Sequence, residues 1–484
     1  MEASVDSCLV RAVGTLSLVV LLAMDSAAMV ETEISLLSLP DDALLAVLAF
    51  LSPRELFACR VACRRLRDLC LHQHLWRAAT VESEGVLRAA LALAPCIGTI
   101  AKVPVEALEP LVSTSACTVS GLELSVYGEK SAALALALLS RFSAVSSGLR
   151  LTKLTLDLNW LSYETHSLIF KAVYAFNGLQ DLTFNEDLDE DEWGELEVLP
   201  SLKKLRSTSS STGAFFNLML RTHCATLEDV DVFYLGTDVP WSSLASLSKL
   251  RSLKCYQGEG LPHLAALPIA QLHIAFDGAI PGALEFLTKA SHMRTVKFCG
   301  LPHELNAPLL ALGNSPSAET LEILEVNGKE DCNYASDVSG MVVASVLPKF
   351  PSLKSIIMSI DDELSEDLLQ AVTPTSSPCL TMLEILQTGS SETTLCLHEA
   401  VHGPFVLDLF VRNPRLHLRV VDCYRAYCKF CPWCRWGCHA RLGRGAVVSL
   451  SSHSWRAGCP LDCYQVIRSD DQPYAEGEED SSPN

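Results

Sequence analysis

The chain has 484 residues, 49% of them hydrophobic and 19% charged, with a formal net charge of −20 and a mean hydropathy of +0.25. So much apolar surface excludes a disordered or collagen-like chain, and the length accommodates two or three domains or one domain with a repeat array. The acidic balance excludes a protein whose whole body grips nucleic acid, because like-charge repulsion opposes the counterion release that drives such binding.

Residues 1–34 read as an N-terminal extension. Thirteen uncharged residues lie between Arg11 and Asp25, too few for the roughly 20 that a membrane-spanning helix requires. Ser26, Ala27 and Ala28 resemble a signal cleavage site, whereas Glu2 and Asp6 dilute the expected basic start. Met24 and Met29 are internal starts that would remove the apolar run. A signal peptide and a non-targeting extension, disordered or arising at the gene start, both stay open.

Residues 35–80 are predicted to form three short helices. Pro40 suits a first helical position, and Asp41 and Asp42 favour the positive end of the helix dipole. Leu44, Leu45, Val47, Leu48 and Leu51 recur at helical spacing. Ser52, Pro53 and Glu55 spell a capping box that stops one helix and starts the next. Leu56, Val61, Leu66 and Leu69 carry the apolar pattern onward, with Arg60, Arg64, Arg65 and Arg67 on the solvated side and Trp76 closing the unit. So small a unit cannot hide all its apolar surface, so a partner or the next domain must bury some of it.

The order Leu39-Pro40, leucine-rich helix, Ser52-Pro53, Leu56, Cys63-Arg64 and Leu75-Trp76 resembles an F-box. One departure is Ala62 where the family usually has valine before the cysteine or serine, and the smaller side chain is expected to loosen packing there. The resemblance implies docking on a Skp1-like adaptor and, through it, on a cullin–RING ubiquitin ligase. The residues it assigns to that contact are Leu39, Pro40, Leu44, Leu45, Leu48, Leu51, Pro53, Leu56, Val61 and Trp76.

Residues 81–114 read as a linker or capping helices, and residues 115–425 as an array. The pattern apolar-x-x-apolar-x-apolar occurs at Val119, Leu151, Leu179, Leu227, Ile269, Met293 and Leu321, with looser copies starting at Leu202, Leu250, Leu353 and Leu380. From Leu151 to Leu380 successive starts lie 19 to 32 residues apart, the period of leucine-rich repeats. Each copy predicts a short strand, and the stretches 132–142, 167–176, 214–223 and 282–290 predict covering helices. Stacking of such units is what stabilises them. Residues 151–161 fit the full template, with Asn159 where a side chain bonds the turning backbone, whereas Ser207 occupies an apolar position. The predicted fold class is therefore α/β: a three-helix F-box followed by an α/β leucine-rich-repeat solenoid. The whole resembles the F-box and leucine-rich-repeat proteins, which act as substrate receptors.

Residues 181–197 carry nine acids and no base. They read as a solvated loop, or as an acidic lip that steers a basic substrate. Residues 426–466 form a Cys-rich basic cap and residues 467–484 an acidic disordered tail. Seven of the nineteen cysteines fall between Cys423 and Cys463. Cys428, Cys431, Cys434, Cys438 and His439 have spacings compatible with zinc, but two well-separated CxxC knuckles are absent, so structural thiols are favoured and no metal site is assigned. Interleaved Arg, Trp and Tyr make a nucleic-acid patch conceivable there, although no nucleic-acid or membrane partner is expected. Outside the cluster the cysteines read as core thiols, and those of the F-box as reduced.

No P-loop, nucleophile elbow or HExxH motif is found. The expectation is a non-catalytic substrate adaptor without cofactor, cytoplasmic or nuclear, that recruits an unidentified protein. A ligase-independent scaffold, a secreted repeat protein and a C-terminal zinc or nucleic-acid module are the alternatives.

Overall fold

The structure, a computed structural model, describes residues 36–115, 117–143, 151–186, 188, 198–209, 213–233, 239–276, 278, 281–327, 340–360, 366–387, 403–422 and 447–451. The N-terminal apolar run, the cysteines at 423–463, the acidic tail and most of the acidic run at 181–197 lie outside them. The chain divides into two units, Met1–Leu227 and Glu228–Asn484.

The first unit opens with a 3₁₀ turn at Leu36–Ser38 and the short helices α1 (Asp41–Leu48), α2 (Pro53–Cys59), α3 (Arg64–Leu69) and α4 (Gln73–Trp76). Strand and helix then alternate: β1 (Thr80–Val81), α5 (Glu84–Leu93), β2 (Cys96–Ile100), α6 (Val105–Thr114), β3 (Thr118–Tyr127), α7 (Gly128–Ser143), β4 (Lys153–Asn159) and α8 (Tyr163–Tyr174). β5 (Asp181–Phe184), β6 (Lys204–Ser207) and α9 (Ala214–Thr222) complete it. β1 to β6 pair in chain order, each parallel to the next. Parallel neighbours need a crossover between them, and the helices supply it.

The side-chain period of two decides which residues enter the core. On β4, Leu154, Leu156 and Leu158 are buried, whereas Thr155 and Asp157 are only partly covered. Phe184 of β5 meets Phe170 of α8 and Phe215 of α9 at centroid distances of 5.7 and 5.4 Å, both edge-on. The edge-to-face arrangement matches positive ring edges to negative faces.

The second unit continues the alternation: β7 (Asp229–Val232), α10 (Trp241–Ala245), β8 (Ser252–Tyr256), β9 (Gln271–Ala275), α11 (Pro281–Lys289), β10 (Thr295–Cys299) and α12 (Pro302–Gly313). Next come β11 (Ile323–Val326), α13 (Gly340–Val346), β12 (Ser355–Ile360), α14 (Glu366–Ala371), β13 (Met382–Gln387), α15 (Pro404–Arg412), β14 (His417–Asp422) and β15 (Val447–Ser451). β7 to β14 run parallel in chain order, whereas β15 returns antiparallel to β14. The fold class is as expected: a helical region followed by a long parallel α/β repeat structure of the leucine-rich solenoid type.

Each predicted apolar triplet from Val119 to Leu380 leads into a strand, β3 to β13. The four predicted helical stretches fall in α7, α8, α9 and α11. The ladder also starts earlier, with β1 at the junction of the segments read as F-box and as linker or cap, and β2 inside the latter.

Two local expectations, on Asn159 and on the core cysteines, need correction, and one, on Ser207, holds. Asn159 donates to the Asp157 carboxylate at 2.9 Å, and the bridge to turning backbone is made by Asn185, which accepts from Leu158 N at 2.7 Å and donates to Leu158 O at 3.2 Å. Buried Asn327 does the same to Gly300, at 2.9 and 3.0 Å. Ser207 is fully buried, and its hydroxyl accepts from Ser209 N at 3.3 Å, so the core polar group is satisfied locally. Eight described cysteines are free thiols, Cys59, Cys63 and Cys70 among them; Cys299, which fills a core position, is instead disulfide-bonded.

Candidate functional site

The four N-terminal helices hold together by a small set of contacts that the sequence spells out. The Ser52 backbone N–H donates to Glu55 Oε2 at 2.8 Å and the Glu55 N–H to Ser52 Oγ at 3.4 Å, the reciprocal capping box expected at the start of α2. Pro40 lies one residue before α1 rather than inside its first turn, and Asp41 opens the helix. Cys63 caps α3, its sulfur accepting from Leu66 N at 3.4 Å. The Trp76 indole is fully buried, donates to Cys70 O at 2.8 Å and packs on Phe57 with centroids 5.2 Å apart. Burial pushes the Cys70 thiol up to about 12, assisted by the neighbouring Cys59. That group is therefore a packing thiol and no nucleophile near neutral pH.

Arg65 departs from its solvated reading. Its guanidinium donates to Leu37 O and Leu39 O, both at 2.6 Å, and to Asp41 Oδ1 at 2.9 and 2.5 Å. A planar fork with several donors matches this set of acceptors, and lysine could not replace it. The side chain pins the entry strand of α1 onto α3, although the two residues are 24 or more positions apart.

The ten residues assigned to adaptor contact sort into three groups. Leu44, Leu48, Leu56 and Trp76 are buried in the chain's own core, so they hold the helices together. Leu39, Leu45, Leu51 and Pro53 are partly covered. Pro40 is exposed, and Val61 is 81% exposed. Two apolar residues outside that set also face solvent, Leu37 and Phe50, the latter 82% exposed. Phe50 lies just past Ala49, the C-terminal cap of α1, between the spaced leucines Leu48 and Leu51. Ala62 is exposed as well, so its small side chain loosens no packing.

The helices are continuous with the repeats of their own unit. Thr99 N donates to Ala79 O and Ala101 N to Val81 O, both at 3.0 Å. Gly98 is required at that junction, since a Cβ would lie 2.5 Å from Arg77 O and 2.8 Å from Ala79 O. In the second unit, Lys297 and Glu325 pair across β10 and β11 at 2.7 Å, and Arg419 and Glu384 across β14 and β13 at 3.7 Å. Cross-strand pairs of this kind fix register. Among the described residues there is no group of three metal-ligating side chains and no helix long and apolar enough to cross a membrane.

Residues 36–81 match the F-box-like family, and this region is an F-box-like domain. No curated protein sequence matches the chain significantly. Among solved structures, the crystal structure of the Rad7 and Elc1 complex in yeast aligns with a TM-score of 0.39 and 13% identity, over 85% of this chain and 96% of that one. The TLR13–ssRNA13 complex aligns with a TM-score of 0.35 and 13% identity, over 67% of this chain and 43% of that one.

Proposed function

We propose that the chain is the substrate-recognition subunit of a Skp1–cullin–F-box type ubiquitin ligase. The observation that carries this reading is an F-box-like domain whose own core is complete, yet which presents Leu37, Phe50 and Val61 to solvent. A contiguous exposed apolar patch marks a partner surface, and these are the large apolar side chains that the domain offers to one. The half-buried Leu39, Leu45, Leu51 and Pro53 and the exposed Pro40 and Val61 make the contact with a Skp1-like adaptor, which brings the cullin–RING assembly. Leu44, Leu48, Leu56 and Trp76 act indirectly, by holding that surface in shape.

The repeats recruit the protein to be modified, and the chain supplies no catalytic residue. Its contribution is effective concentration, because tethering a target lysine near a charged ubiquitin carrier makes the transfer nearly intramolecular. The free thiols of the F-box region suit a reducing compartment, cytoplasm or nucleus, whereas the disulfide at Cys299 is a bond such compartments rarely keep.

The test compares proteins captured by the wild type and by Val61→Asp in cells whose degradation is blocked. The wild type is expected to bring adaptor and cullin, the variant neither, and candidate substrates to remain on both. A wild type that captures substrates but no adaptor would replace this reading with a ligase-independent scaffold.

A further inference from the structure

In the first unit, three of the six strands exit through a left-handed residue: Lys102 after β2 (φ 56°), Gly128 after β3 (φ 75°) and Trp160 after β4 (φ 56°). β3 and β4 are in register with Tyr127 opposite Asn159, so Gly128 and Trp160 occupy equivalent corners. The turn demands positive φ, which glycine adopts at no steric cost. A bulky aromatic residue there is a genuine outlier, and residues held in such conformations concentrate at ligand clamps. Trp160 is also 87% exposed, so packing does not explain it.

What surrounds the indole is specific. Tyr127, itself 53% exposed, meets it edge-on with centroids 6.1 Å apart. Asp157 lies just below on β4, its Oδ1 accepting from Asn159 Nδ2 at 2.9 Å and Asn185 Nδ2 at 2.7 Å. Among the described residues its Oδ2 receives only the Tyr127 hydroxyl, at 3.4 Å, a length beyond that of a normal O–H···O bond. The carboxylate is thus fixed by two amides with accepting capacity left over. Glu129 accepts from Ser162 N at 2.7 Å and Thr165 Oγ1 at 2.5 Å, which fastens the chain following Trp160 to the start of α7.

We propose that the Trp160–Tyr127–Asp157 corner docks an arginine side chain of a basic segment in a partner protein. The guanidinium stacks on the indole face while its N–H fork meets Asp157 Oδ2, combining a cation–π contact with a charge-assisted hydrogen bond. Charge complementarity names the partner's sign. The chain leaving Asn185 carries eight acids and no base over residues 186–197, which steers cationic segments and opposes nucleic acid. Of the bases on the same strands, Lys153 and Lys204 stand at the opposite, leading ends, and Arg206 lies two strands away, level with Thr155. Lys153 is four residues from Asp157, about 13 Å along a strand. This assignment deepens the reading of the repeats as the recruiting part of the molecule and rests on it.

The experiment titrates the full-length protein into a fluorescein-labelled Gly-Ser peptide with interspersed arginines, followed by anisotropy. Binding is expected to weaken with salt and to vanish when citrulline replaces arginine. Trp160→Gly and Trp160→Asn, both suited to positive φ, are expected to lower affinity about tenfold, with melting temperatures equal to or above the wild type. Asp157→Asn is expected to weaken binding and flatten its salt dependence. Unchanged affinity in the Trp160 variants, no binding by the wild type, or preference for a single-stranded oligouridylate over the peptide would overturn the proposal. Val61→Asp must keep peptide binding. If the wild type binds the peptide but captures no adaptor, the ligase reading fails while this site stands.

Discussion

Val61→Asp separates docking from folding because the wild-type side chain is 81% exposed in the free chain. Nothing in the F-box core depends on it, so unfolding free energy should change by no more than about 0.5 kcal/mol. Under an adaptor, the valine would contribute roughly 1.5 kcal/mol of apolar burial, and a carboxylate stranded there costs roughly 1–3 kcal/mol more. The sum, about 2.5–4.5 kcal/mol, is a loss of about two to three orders of magnitude in affinity.

Leu48 provides the contrast. It is 3% exposed, and even truncation to alanine should cost about 2–5 kcal/mol of stability. Leu48→Asp would abolish adaptor binding for the uninformative reason that α1 no longer packs. Isothermal titration against a Skp1-like adaptor, with urea unfolding of the same samples, measures both quantities. A Val61→Asp variant of wild-type stability and wild-type affinity would refute the docking assignment. One destabilised like a Leu48 variant would show that Val61 belongs to the core.

Three further outcomes follow from buried groups. His223 is 2% exposed and its Nδ1 accepts from Ser201 N at 3.2 Å, and burial holds its pKa down at about 4. The unfolded imidazole takes a proton below about 6.5 while the folded one stays neutral, so stability is full above that pH and falls by up to about 3 kcal/mol on approach to pH 4. His223→Gln should flatten this part of a pH-dependent melting curve, and identical slopes would contradict it. Gly98→Ala forces a Cβ against two backbone carbonyls, and a loss of roughly 1–3 kcal/mol in urea unfolding is expected; no change would mean that the β1–β2 junction yields freely. Among the described cysteines, maleimide labelling of the native protein at pH 8, read by peptide mass spectrometry, should reach exposed Cys379 first. Cys70 and Cys117, whose thiols burial raises to about 12 and about 11, should lag far behind; comparable rates would show that these sites open readily.

The strands were legible because their signal is redundant. A buried parallel strand in a repeat needs two or three inward apolar residues at period two, and each such triplet is reinforced by its neighbour at a fixed interval. β2 escaped because Gly98 interrupts the pattern where the chain passes against the Arg77 and Ala79 carbonyls. β15 escaped because it is antiparallel and lies outside the repeat period. Arg65 was read as solvated for a different reason: helical periodicity locates a residue on a face of its own helix, and says nothing of carbonyls more than 20 positions away. Asn185 and Asn327 likewise act on the preceding repeat, a relation that only the register of β4–β5 and β10–β11 reveals.

The docking residues expose a deeper limit. Leu44, Leu48, Phe50 and Val61 all register as apolar positions in a short helical segment, and transfer from water favours burial of each by a similar amount per unit area. Period and composition therefore cannot distinguish burial within the chain from burial against a partner. Packing decides it: the four helices close a core around Trp76 and Leu44 and leave Phe50 and Val61 outside. The same test separates Gly128 from Trp160. Both satisfy one turn, but only the glycine does so without steric cost. Where a fold has a comfortable residue available and the chain carries an uncomfortable, exposed one, the excess cost lowers the stability of the free chain, and a contact made there in a complex offsets it.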